Sequence, residues 1–289
     1  MFAPSLLATL DAVCETGSFE LAAARVHVTP SAVSQRMRAL SEAAGGAVFE
    51  RLQPATPTAL GRRLLRHARE VGALEAGLAA DLGRDGDRPV VAIALNADSL
   101  ETWVVPGLAT VPGFRFDVTI ADQDHSADLL RRGEVSAALT AEADPLPGCD
   151  AHRLGALAYR AVCTPDFAAR YFPDGPDAAA LATAPMLQFN LQDGLQHRWI
   201  RTVTGQALHP PTHRIAATSP LQHALRAGLG WGVNPAVMME ADLASGRLVA
   251  LAPEVTLETT LSWQIGRAMA GPLAPLTRAI RKAARAVMG

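Results

Sequence analysis

Four side chains able to read DNA fall on one face of a short helical segment. Ser31, Ser34, Gln35 and Arg38 lie together at about 3.6 residues per turn, and Val33, Met37 and Leu40 lie opposite them. Arginine can fork onto guanine O6 and N7, glutamine can pair with adenine N6 and N7, and serine reaches bases or phosphates. An ordinary three-helix packing unit with a polar outer face would show the same pattern, so the neighbouring elements must decide. A second group of polar residues follows apolar runs further along the chain. Asn96, Asp98 and Ser99 follow Val90–Leu95, Asp122 and Asp124 follow Phe114–Ile120, and Thr218-Ser219 precede another helix. Ligands of open α/β sheets bind outside the carboxyl ends of strands, near helix N-termini. An anion site near Ser99 and a cation site at Asp122 or Asp124 would together suit an amino acid. Asp98 could equally be a helix cap, Asp122 and Asp124 turn residues, and Thr218-Ser219 a cap for the helix at Pro220.

Catalytic chemistry has weaker support. Gly228-Leu229-Gly230-Trp231-Gly232 does not complete G-x-G-x-x-G, and there is no P-loop. His209 and His213 flank a Pro-Pro pair, and Asp122, Asp124 and His125 cluster, but the prolines and the lack of a matching further ligand set favour loops over a metal site. Cys163 sits in an expected strand and reads as a core thiol. The chain is therefore read as a non-enzyme with no metal and no cofactor. A solute-binding protein would fit residues 89–289 but leaves the first 88 unexplained.

The elements of the first ninety residues favour the DNA reading. Leu6, Leu7, Leu10 and Val13 predict a helix that stops at Gly17. A second helix over Phe19–Val26 is expected to expose Glu20 and Arg25 and to bury Leu21 and Ala22. After a turn at His27-Val28, Thr29 caps a third helix that Pro30 opens. Two short helices joined this way, the second displaying Ser, Gln and Arg, describe a helix-turn-helix. Val48–Leu52 and the Pro54/Pro57 region read as a wing, where Arg51 would touch phosphate. Thr58 then caps a helix from Ala59 to about Leu82. Its Leu60, Leu64, Val71, Leu74, Leu78 and Leu82 make a stripe for a partner helix, which favours a symmetric dimer.

Arg88-Pro89 opens a different pattern. Strands are expected at 90–95, 114–120, 135–139, 158–164, 186–189, 214–217, 230–233 and 261–266. Helices intervene, and the last covers 275–287. This alternation predicts a parallel α/β sheet in two lobes, with the chain crossing near 158–164 and 261–268. Asp98 and Glu101 have capping-box spacing. The expected division is 1–58 for the winged head, 59–88 for the linker helix and 89–289 for the rest. Within the last part, lobe I takes about 89–160 and 267–289, and lobe II about 161–266.

Composition agrees with a folded, unstapled protein. The 289 residues are 49% hydrophobic and 19% charged, with a formal net charge of -2. Cys14, Cys149 and Cys163 are too few and too widely spaced for a disulfide framework. Phe19–Arg69 holds eight arginines against three glutamates, a basic patch on a neutral chain that suits phosphate binding. No apolar run reaches the roughly 18 residues of a membrane span. The apolar N-terminus lacks an early positive charge and is interrupted by Asp11 and Glu15, so a cytoplasmic location without membrane partners is expected.

These residues resemble the N-terminal half of a LysR-type transcriptional regulator. The matching text is Phe19-x-x-Ala22-Ala23, then Thr29 to Leu40, Phe49-x-Arg51 and Thr58-x-x-Gly61, with Ser41-Glu42 where the family usually has Glu directly. The resemblance implies a winged helix-turn-helix, a dimer through the linker helix, commonly a tetramer, and an effector half like a periplasmic binding protein. It implies double-stranded DNA and RNA polymerase as partners, with Ser31, Ser34, Gln35, Arg36, Arg38, Arg51 and Thr58 at the DNA. Asn96 to Trp103, Arg131 to Val135, Leu154 to Tyr159 and Tyr171-Phe172-Pro173 are similar to the ArgP/LysG branch. That branch implies sensing of lysine, arginine or a related amino acid and activation of a basic-amino-acid exporter gene. An acidic residue such as Asp122 or Asp124 would match the ligand's side-chain charge. Where ArgP-like proteins carry an Asp-Asp stretch, this chain has Asn190-Leu191-Gln192-Asp193.

Overall fold

The computed structural model describes residues 2–82 and 89–288. Contacts divide the chain into two compact units. One comprises Met1–Leu95, Thr110–His152 and Trp263–Ala279, and the other Asn96–Ala109, Arg153–Ser262 and Ile280–Gly289.

The first unit begins with α1 (Pro4–Thr16), α2 (Phe19–Arg25) and α3 (Pro30–Ala44). Leu7, Leu10, Val13, Ala22, Val33, Met37 and Leu40 close one core among them. Gly17 ends α1 at φ 67°, a left-handed conformation in which a side chain would strain the backbone. Ala22 and Ala23 are buried in α2, but Leu21 is 60% exposed, against expectation. Ser18 caps α2 and sets its register, and Phe19 fills the inner side by an edge contact with Phe49, ring centroids 5.7 Å apart. Strands β1 (Phe49–Leu52) and β2 (Ala55–Pro57) pair antiparallel as a hairpin. Then α4 runs through Ala59–Asp81. It packs on α1 and includes buried Leu64 and Ala73, while Leu74, Leu78 and the following Leu82 stay exposed.

The same unit holds β3 (Val90–Leu95), β4 (Arg115–Ile120), α7 (Gln123–Arg132, numbered after the short α5 and α6 given below) and β5 (Ala137–Thr140). Strand β3 pairs in parallel with both β4 and β5. Helix α7 lies on β3 and β5, anchored where the Ser126 hydroxyl donates to the Leu139 carbonyl. Gln264 ties down the loop after β5, accepting from Leu146 N at 2.8 Å and donating to the Asp144 carbonyl at 3.0 Å.

The second unit opens with a helical stretch made of α5 (Ala97–Ser99), a π-helical turn (Leu100–Val104) and α6 (Val105–Ala109). Strand β6 (Cys149–Cys163) begins nine residues before the strand expected at 158, because the polar, half-buried stretch before Ala158 reads as loop in sequence. Then follow α8 (Pro165–Tyr171), α9 (Ala178–Thr183), β7 (Met186–Gln188), α10 (Leu195–Thr204), β8 (Thr212–Arg214) and α11 (Thr218–Arg226). They are succeeded by β9 (Gly232–Pro235), α12 (Ala236–Ala244), β10 (Val249–Ala250), β11 (Leu257–Gly266) and α13 (Ala274–Met288). Strands β9 and β10 pair antiparallel with β6, and β7 pairs in parallel with β8. The sheets are therefore mixed, not purely parallel. Val162, Leu187, Leu221, Leu225, Met239 and Leu248 form a core here, and the tilted rings of Trp199 and Trp231 pack with centroids 5.3 Å apart. The chain passes between the units inside β6, after His152, and inside β11, after Ser262. Residues 96–109 and 280–289 group with 153–262, whereas the sequence reading left them in lobe I. Among the described residues, no helix is long and apolar enough to cross a membrane.

Candidate DNA-binding and effector sites

The head presents one face of α3. Thr29 caps the helix by accepting from Ala32 N at 3.2 Å, and its Oγ1 lies 3.0 Å from Ser31 Oγ. His27 takes the tight turn at φ 53°, which aims α3 across α2. Ser31, Ser34, Gln35 and Arg38 are all exposed on the face away from the core, and Arg51 is exposed on β1. Two sequence candidates are engaged elsewhere. Arg36 points toward α1, half-buried, and donates to Thr9 Oγ1 at 3.1 Å, because its position lies beside Leu40 and away from the Ser31 face. The Thr58 hydroxyl donates to the Ala47 carbonyl at 2.8 Å and accepts from Gly61 N at 3.0 Å. It caps α4 and clasps the wing, so this hydroxyl is already used within the fold.

The start of the α5–π–α6 stretch has a different character. Asn96 is the residue before α5 and Ser99 ends it, and both are buried. Asn96 Oδ1, Ser99 Oγ and Trp103 Nε1 have no hydrogen-bond partner among the described residues. Leaving a buried polar atom unsatisfied costs about 1–3 kcal/mol, so three within eight residues call for an explanation. π-turns occur frequently at functional sites.

The capping box expected from Asp98 and Glu101 does not form. Asp98 Oδ2 instead accepts from the Tyr159 hydroxyl at 2.9 Å, and Glu101 Oε1 accepts from Ser219 Oγ at 2.8 Å. Tyr159 is buried on β6, and that burial, with the charge and hydrogen bond of Asp98 and the charge of Asp193, drives its phenol well above the ordinary range. The phenol therefore stays protonated and keeps donating to Asp98. Asp193 holds the loop after β7, its Oδ2 accepting from Phe189 N and its Oδ1 from Leu195 N, both at 3.1 Å.

Asn96, Asp98, Ser99, Thr218 and Ser219 thus share the second unit. Thr218 begins α11, half-buried, with no side-chain cap on that helix. Asp122, the residue before α7, belongs to the first unit, and its side chain makes no cap bond there. The Asp124 side chain lies outside the described residues. Tyr159, Glu101 and Asp193 were not among the sequence candidates. Only the resemblance had pointed at Tyr159, since an aromatic in an apolar strand is indistinguishable from core by pattern. His209 faces His197 with ring centroids 5.8 Å apart, and burial with the charges of His209 and Arg201 pushes His197 down. Burial raises the Cys163 thiol to about 12, which leaves it a poor nucleophile.

Two family models match. Residues 4–62 match the bacterial regulatory helix-turn-helix protein of the lysR family, and residues 84–288 match the LysR substrate binding domain. The chain belongs to the LysR family of bacterial transcriptional regulators. Among individual LysR-family proteins, LysG of Mycobacterium tuberculosis is 42% identical over 283 residues, covering 96% of this chain and 92% of that one. The lysine export transcriptional regulatory protein LysG of Corynebacterium glutamicum is 37% identical over 290 residues, covering 97% of each. A full-length structure of that organism's LysG with bound effector Arg has a TM-score of 0.69 at 35% identity, covering 98% of each chain. The ArgP structure from M. tuberculosis has a TM-score of 0.82 at 40% identity, covering 98% of this chain and 97% of that one.

Proposed function

We propose that this LysR-family regulator senses a basic amino acid, lysine or arginine, and activates a gene for its export. The observation that carries this reading is the buried turn at Asn96–Trp103. Its orphan polar atoms stand beside a carboxylate, Asp98, that Tyr159 holds in place. A ligand carboxylate would accept from the Ser99 hydroxyl, and a ligand ammonium would donate to Asn96 Oδ1 and meet Asp98. Asp122 and Asp124 are proposed as separate acidic candidates, to be tested one at a time. The arginine bound to a LysG of 35% identity supports this choice of ligand. The proposed division is a head over 1–58, a linker helix over 59–88, of which 83–88 lie outside the described residues, and an effector-binding part over 89–289. The protein acts in the cytoplasm as a dimer or tetramer without enzymatic activity. It engages RNA polymerase at the promoter.

A thermal-shift panel of the twenty amino acids on the full-length protein tests the effector. Lysine or arginine at 100 times its Kd should add about 2.7 kcal/mol of stability, and Asp98→Asn should remove the response. A panel with no shift from either would end the basic-amino-acid reading and leave the DNA-binding one standing.

A further inference from the structure

Within the first unit a seam of charge runs between the head and the strand at the unit's sheet edge. On β4 the outward positions alternate, with Arg115, Asp117 and Thr119 exposed and Phe116 and Val118 half-buried. Arg115 Nη1 donates to Glu15 Oε1 of α1 at 2.6 Å, and Glu15 Oε2 also takes Arg25 Nη2 of α2 at 2.8 Å. Arg69 of α4 reaches both sides, its Nε to Asp11 Oδ1 at 3.0 Å and its Nη1 to Asp117 Oδ2 at 3.5 Å. One turn earlier, the Arg66 guanidinium lies against Gly133, in the space that a Cβ there would occupy. Gly133 ends α7, so Arg66 places its charge at the negative end of that helix. Between these contacts lies a cavity of about 290 Å3, lined by Cys14, Arg62, Arg66, Arg69, Asp117 and Glu134 among others.

A seam crossed by ion pairs around a cavity of mixed polar and apolar lining differs from a fused core. Partly exposed ion pairs are individually weak and are screened by salt. We propose that this seam is a latch between the DNA-binding head and the effector half of the same chain. In it, Glu15 and the Asp11–Arg69 pair grip the Arg115–Asp117 edge of β4. Strand β4 runs on directly to Asp122, so displacement of its carboxyl end would be passed to α1 through residues on its own exposed face. Only the effector arm of the following test rests on the amino-acid reading above.

The test uses the full-length protein with Arg115→Glu/Asp117→Arg, which reverses both β4 charges and leaves every head side chain in place. Arg115→Lys is the conservative partner. In calorimetry at low salt, the double variant should release the head into a separate, earlier unfolding transition. Arg115→Lys should keep the wild-type profile, and wild type in about 1 M salt, where the Debye length falls to about 3 Å, should move toward the double variant. In DNA-binding titrations with and without arginine, an allosteric response of about 5- to 150-fold in wild type should fall toward one in the double variant. An unchanged unfolding profile in the double variant would overturn the latch, as would an equal loss in Arg115→Lys. A split profile with the ligand response intact would make the seam a static brace and also overturn it. If no amino acid alters the wild type, the effector reading fails, and the calorimetric arm decides the latch alone.

Discussion

Gln35 and Arg51 are both exposed on the head but present different chemistry to DNA. Gln35 projects from the middle of α3, where an amide can make a paired contact with one base edge. Gln35→Ala should cost about 1–3 kcal/mol of discrimination at one base pair, read from binding to a panel of single-base operator variants. Equal loss on every sequence would assign it to the backbone instead. Arg51 sits on the wing, where it can neutralise a phosphate. Arg51→Ala should weaken binding to all sequences and reduce the slope of log K against log salt by about one. An unchanged slope would remove Arg51 from the interface. Arg36, two positions from Ser34 and Arg38, instead turns toward α1 and donates to Thr9. Residue type did not separate these arginines; the angle each takes around α3 does.

At the scale of elements, the joint between wing and long helix is the tightest constraint in the head. Gly61 enters the first turn of α4 with the Val48 carbonyl so close that a Cβ there would collide with it. The Thr58 hydroxyl bridges the same two elements through Ala47 and Gly61. Gly61→Ala should therefore overpack the joint and destabilise the protein by about 1–3 kcal/mol, seen as a lower denaturation midpoint. A neutral result would mean that the wing shifts freely on α4. This explains the Thr58-x-x-Gly61 spacing physically. The threonine hydroxyl needs both a carbonyl and an amide, and the glycine leaves room for the wing's backbone. The sequence shows such a pair as a helix start; the wing carbonyl that makes it necessary comes from elsewhere in the chain.

At the scale of the whole molecule, the far half of α4 has apolar residues without cover. Leu74 is 51% exposed and Leu78 60%. Four-residue spacing along one helix face is the geometry that a second helix can bury. Leu74→Glu/Leu78→Glu should shift the sedimentation of the protein toward monomer and weaken binding to paired half-sites more than to a single one. Unchanged sedimentation would place the assembly interface elsewhere. The ligand panel and the latch variants belong to this scale too, since each asks whether an event in one part of the chain is felt in another.

Helices with strong period and good caps were legible before any coordinates. Helix α3 runs from Pro30 to Ala44 as its cap and its stripe require, and the end of α1 falls at Gly17. These are local properties: a capping hydroxyl, a left-handed glycine and apolar spacing act within a few residues. The mixed pairing of β6, the early start of that strand and the grouping of residues 96–109 with 153–262 were not legible. Each depends on partners tens of residues away in the chain. The same holds for the candidate sites. Asn96, Asp98 and Ser99 could be picked out as polar residues after a buried strand. That Asp98 answers to Tyr159 and not to its own helix is set by a hydrogen bond across 61 positions of sequence. Spacing along a chain reports which side chains share a face, and only folding decides which faces meet.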